Sequence, residues 1–144
     1  MKKYSGWFMV VLLAITLAIF YKPLKLAIIG KPVDKSISFA IYKGNNYTSK
    51  AYDSTSAQIR INVEKVSFGK RTVVWDTTFD AKLLKQYPSM ENALLKKIIV
   101  PHVTDKKEQL EISCILTYKT VGSQLQMMYG TILTNKTGRI DIPI

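Results

Sequence analysis

His102 and Cys114 are each the only residue of their kind in the chain. They are therefore the sole candidates for a thiol–imidazole pair, in which the imidazole takes the thiol proton and leaves a thiolate to attack. Cys114, however, falls at every second position with Leu110, Ile112, Leu116 and Tyr118. On such an apolar face a thiol behaves as a small hydrophobe. Asp76 and Asp80 bracket Thr77-Thr78-Phe79, and as neighbouring carboxylates they could bind a cation or share a proton. No second motif orients them, and Asp80 reads instead as a helix N-cap. A metal site would have to gather His102, Cys114 and carboxylates without the spacing of a zinc motif. There is no glycine-rich phosphate loop and no nucleophile elbow. These residue types predict no enzyme, no cofactor and no metal.

The elements that carry these residues show an apolar period of two from Ser36 onward. Ile37, Phe39 and Ile41 predict a first strand, and Ile59, Ile61 and Val63 a second. The apolar phase then slips to Val66 and Phe68, which predicts a β-bulge near Glu64-Lys65. Gly69-Lys70 reads as a type II′ turn into a strand with Val73, Trp75 and Phe79. Between Asp80 and Lys97 the pattern turns helical: Asp80 and Ser89 are expected N-caps of two short helical turns separated by Pro88. Strand signal resumes at Ile98 to Val103 and is strongest over Leu110 to Tyr118, the expected central strand. Val121-Gly122-Ser123 turns the chain into Leu125, Met127 and Tyr129, with Met127 on the core parity. The last strand carries Ile140, Ile142 and Ile144. About seven strands and one short helical insertion predict a mainly β domain over residues 36–144, an antiparallel two-sheet sandwich, immunoglobulin-like or transthyretin-like in outline. A single cysteine permits no internal disulfide, so packing alone must hold the domain.

Ahead of the domain, residues 7–21 contain no charge and one polar side chain, Thr16. Residues 1–30 are therefore expected to form a membrane anchor with a juxtamembrane segment, joined through a linker at 31–35. Trp7, Phe8, Leu12, Leu13, Ile15, Leu17, Ile19, Phe20 and Tyr21 would face lipid as a single transmembrane helix, with Trp7 and Tyr21 near the two interfaces. Lys2 and Lys3 also suit a secretory signal peptide, but small residues for a cleavage site do not follow the apolar run. The lysines on the two sides of the run are nearly balanced, and because long domains cross a membrane largely regardless of charge the sandwich is expected outside the cytoplasm, in a periplasm.

The net charge of +11 suits anionic lipid headgroups, acidic polymers or an acidic protein partner. Lys70-Arg71, Lys96-Lys97 and Lys106-Lys107 are scattered and lack clustered arginines and stacking aromatics, so nucleic acid is not the expected partner. Tyr42, Tyr47, Tyr52, Tyr118 and Tyr129 are expected as half-buried sheet residues rather than a sugar- or peptide-binding face. Asn46-Tyr47-Thr48 and Asn135-Lys136-Thr137 match the N-glycosylation sequence, which matters only in a eukaryotic secretory pathway. The leading expectation is a membrane-anchored subunit that binds another envelope protein, with Ile140, Ile142 and Ile144 as the candidate partner edge. The alternative is a binder of anionic lipid headgroups or acidic polymers through surface lysines.

Overall fold

The computed structural model of the chain describes residues 5–45, 50–134 and 136–144, and of residues 5–8, 22, 24–29 and 51 the backbone only. Both glycosylation matches, at Asn46 to Thr48 and at Asn135, thus fall on residues outside that description, as do Tyr47 and the side chains of Trp7 and Phe8. The chain opens with one helix, α1 (Ser5–Ile29), which continues through Pro23. Met9 to Tyr21 are exposed along it, and Thr16 Oγ1 donates back to the Leu12 carbonyl at 2.6 Å. The expected transmembrane span is not supported here, because among the described residues no helix is long and apolar enough to cross a membrane. The continuous run of described side chains, residues 9–21, covers about 20 Å of helix against a hydrocarbon core of ~30 Å.

Seven strands follow: β1 (Val33–Tyr42), β2 (Ser56–Ser67), β3 (Lys70–Leu83), β4 (Leu94–Val103), β5 (Glu108–Thr120), β6 (Ser123–Leu133) and β7 (Thr137–Pro143). They form a three-stranded sheet in the order β4-β1-β7 and a four-stranded sheet in the order β3-β2-β5-β6. The two sheets share one core. Ile37, Phe39 and Ile41 from β1 meet Ile59, Ile61 and Val63 from β2 and Leu110, Ile112, Cys114 and Leu116 from β5. Burying each of the larger aliphatic side chains contributes about 1.5–3 kcal/mol. Phe39 and Trp75 stack across the sheets with ring centroids 5.5 Å apart. The mainly β, two-sheet expectation therefore holds, and β5 lies inside its sheet, as its five alternate apolar positions imply.

Four local expectations change. An irregularity does fall near Glu64, between Val63 and Glu64, but its extra residue is Val74 on β3 and not a residue of β2, and a second register shift lies between Ala57 and Ile59. The β2–β3 hairpin turns on Phe68-Gly69, because Ser67 pairs with Lys70. Both turn residues have positive φ, 49° and 79°, which is the type I′ arrangement and not the type II′ turn expected at Gly69-Lys70. Asp80 caps no helix, since β3 runs on to Leu83 opposite Ser56. The helical insertion shrinks to two 3-10 turns, Leu84–Gln86 and Met90–Asn92, and Ser89 precedes the second without a side-chain cap bond. Tyr87, between those turns, donates its hydroxyl to the Ala57 carbonyl at 2.9 Å and closes this end of the core. The sheets are also not wholly antiparallel. β7 lies parallel to β1, with Ser36 opposite Thr137 and Ile41 opposite Ile142.

β1 starts at Val33, inside the stretch expected as linker, and Lys35 belongs to its inward face. That ammonium is 2 % exposed and pairs with Asp105 at 2.7 Å, while also donating to the Thr134 carbonyl at 3.3 Å. It ties β1 to the turns before β5 and before β7.

Candidate functional site

Strand pairing explains why one side of the sandwich is open. β6 pairs with β5 alone, so Tyr118 faces Leu125, Leu116 faces Met127 and Cys114 faces Tyr129. Strand alternation puts those β6 residues on the core face of the sheet. The opposite sheet has one strand fewer, and nothing described lies over the first half of β6. Leu125 is 57 % exposed and Met127 44 %, so Met127 is not the core residue its parity implied. Toward its other end β6 is covered: Leu133 is buried, in close contact with the backbone of Gly138 on β7. A Cβ at Gly138 would force the end of the Leu133 side chain to move.

Between β6 and β7 lies a cleft of about 270 Å³ lined by Cys114, Tyr129, Thr131, Arg139, Ile140 and neighbouring backbone. At its floor, burial pushes the Cys114 thiol up to about 11, an effect that the Tyr129 hydroxyl partly opposes. Burial, then the neighbouring Cys114, raises the Tyr129 phenol as well. The Tyr129 hydroxyl is buried without a well-formed hydrogen bond among the described residues. At these positions neither group is a nucleophile or a proton shuttle near neutral pH.

The candidate edge Ile140, Ile142 and Ile144 is located as expected in one respect: β7 is an outer strand of its sheet. Its side chains point inward, with Ile142 and Ile144 buried and Ile140 half-buried. What β7 offers outward is therefore backbone. Among the four outer strands, β6 stands out because Ser123–Leu133 has no charged residue and no proline. β3 carries Lys70, Arg71, Asp76, Asp80 and Lys82; β4 carries Lys96, Lys97 and Pro101; β7 carries Arg139, Asp141 and Pro143. Charges and proline protect sheet edges from unwanted pairing. The unprotected stretch also presents Met128 and Ile132, 75 % and 47 % exposed, on its outer face. Sequence periodicity assigned these residues a face but gave no sign of what lies opposite; the missing charge along Ser123–Leu133 was the readable signal.

The other chemical candidates are not brought together. His102 is exposed on β4, in the opposite sheet from buried Cys114. The Asp76 carboxylate accepts two bonds from the Arg60 guanidinium, at 3.1 and 2.6 Å, which holds it below the usual carboxylate range. Glu64 and Glu111 face each other across β2 and β5 with Arg71 bridging both, at 3.0 and 2.7 Å. Among the described residues no group of three His, Cys, Asp or Glu side chains is placed to hold a metal ion. Tyr118 is buried, Tyr42 and Tyr129 are half-buried, and Tyr52 is exposed. The arrangement offers an apolar, strand-shaped opening. Compared with known proteins, the chain matches no family model, no curated protein and no solved structure.

Proposed function

We propose that this chain is a single-pass membrane protein whose extracytoplasmic, periplasmic sandwich serves as a protein-binding or scaffold subunit of an envelope assembly. In this reading the partner is another envelope protein that inserts an extended segment along the open side between β6 and β7. The observation that supports it is the mismatch of three strands against four, which leaves Leu125 and Met127 exposed beside the unpaired edge of β7. A strand added there would satisfy backbone donors and acceptors of β7 and lay alternate apolar side chains on β6. The anchor is proposed from the exposed, uncharged run Met9 to Tyr21 along α1. Of the two sandwich outlines, the transthyretin-like one is retained: an immunoglobulin constant domain keeps its first two strands in one sheet, whereas β1 and β2 lie in opposite sheets.

The test is site-specific photocrosslinking in intact membranes. Probes at Leu125 on β6 and Arg139 on β7 are expected to capture the same partner, and a probe at Val73 on β3 is expected to capture none. Capture at Val73 alone, or an identical pattern at all three positions, overturns the open-side assignment.

A further inference from the structure

The turn at Phe68 conflicts with local propensity. A type I′ turn needs positive φ at both central positions and selects Asn, Asp or Gly, yet Phe68 occupies the first of them at φ 49°. The ring gains nothing from the core, since Phe68 is 83 % exposed. The Lys107 ammonium lies over the ring, 5.6 Å from its centroid. Strain kept at an exposed aromatic points to a use outside the folded domain.

The register puts this tip at the end of the sandwich where α1 arrives. Val33 pairs with Val103, and Ser67 pairs with both Glu108 and Lys70, so the start of β1, the β4–β5 turn and the β2–β3 tip share one end. Residues 30–32 separate α1 from β1 and reach at most roughly 11 Å. Gly30 lies against the stem of Lys106, where an added Cβ would sit 3.5 Å from Cγ. Lys31, Lys70, Lys106 and Lys136 are exposed at this end, and Lys107 half-exposed. The acids there are already engaged: Asp105 by Lys35, Glu108 by Lys65, and Asp34 by the His102 backbone amide.

We infer that this end of the sandwich docks on an anionic lipid surface, with Phe68 entering the headgroup–acyl boundary and Lys70, Lys106 and Lys107 meeting headgroup phosphates. The inference rests on the reading that α1 holds the chain in a membrane, and it names the headgroup chemistry that the domain meets beside that anchor. Basic side chains around an apolar ring are the complement of such a surface.

Full-length chain bearing Ser67→Cys and an environment-sensitive thiol dye tests it, because Cys114 is buried and stays unlabelled. In vesicles of phosphatidylcholine with phosphatidylglycerol, the dye is expected to shift to the blue. The shift is expected to vanish in Phe68→Ser or in paired Lys70→Glu and Lys107→Glu, and at a dye on Val121→Cys at the opposite end. A dye that stays aqueous on chain resisting alkaline carbonate extraction overturns the docking while the anchor stands. Release of the chain by carbonate overturns the anchor and the docking with it. An equal blue shift on pure phosphatidylcholine overturns the role of the lysines.

Discussion

The buried ion pair of Lys35 sets an order of mutational costs that a surface pair would not. Lys35 is 2 % exposed and its partner Asp105 is 56 % exposed, with 2.7 Å between charged atoms. Breaking a fully buried pair by removing one partner costs about 3–5 kcal/mol, because the charge left behind stays desolvated. Here the exposed partner is screened by water, which lowers the expectation for Asp105→Ala to about 2 kcal/mol, with the ammonium left only the Thr134 carbonyl. Lys35→Ala removes three methylenes as well as the charge, about 2.5 kcal/mol at ~0.8 kcal/mol each. Lys35→Met keeps most of the stem and returns Asp105 to water, so it is expected to cost under about 1 kcal/mol. Urea unfolding of the full chain in mild detergent, followed by circular dichroism, reads these as midpoint shifts; about 2 kcal/mol moves the midpoint by roughly 1–2 M. If Asp105→Ala is as mild as an ordinary surface change, or milder than Lys35→Met, the buried-cation argument fails.

Cys114 is expected to resist alkylation at pH 8 in the folded chain and to react fully in urea, as mass spectrometry would show; modification of the native chain at the unfolded rate would contradict its burial. Its thiol is raised from 9.0 to about 11, so the stability it contributes is present below pH 9 and is lost as pH rises through 11. Unfolding midpoints measured across that window should fall with pH, and a Cys114→Ala chain should show a shallower fall. Phe68→Asn removes the left-handed strain at the cost of an exposed cation–π contact, for a net gain of about 0.5–1 kcal/mol in the same urea experiment. A loss of stability would show that the aromatic serves the fold itself.

How far the chain could be read depends on how local each feature is. β5 was legible because both of its faces are set by its own alternation, and Leu110, Ile112, Cys114, Leu116 and Tyr118 are all buried where the period put them. The same period in β6 gave the face of Leu125 and Met127 but not their exposure, which depends on a strand missing from the opposite sheet. Ala81 to Leu84 has good helix formers, yet pairing of Ala57 with Lys82 and Ser56 with Leu83 holds the segment extended until Leu83; a tertiary partner overrides propensity there. The Phe68-Gly69 turn was missed by one residue because only a strained aromatic occupies the position that Asn would have marked. The candidate edge at Ile140 to Ile144 was found from its place in the chain, whereas its parallel pairing with β1 involves no neighbouring residues.

That pairing also bears on the order of synthesis. The β3-β2-β5-β6 sheet needs only residues 56–133, and most of its ladders join consecutive segments. The other sheet stays open until Thr137 emerges to meet Ser36, a hundred residues behind. A nascent chain must therefore hold Ile37, Phe39 and Ile41 without their β7 neighbours until about a hundred further residues have been made. The seven-residue β7 then pairs along the free edge of β1, so a polypeptide truncated before Ile140 should be an aggregation-prone product and not a smaller working domain.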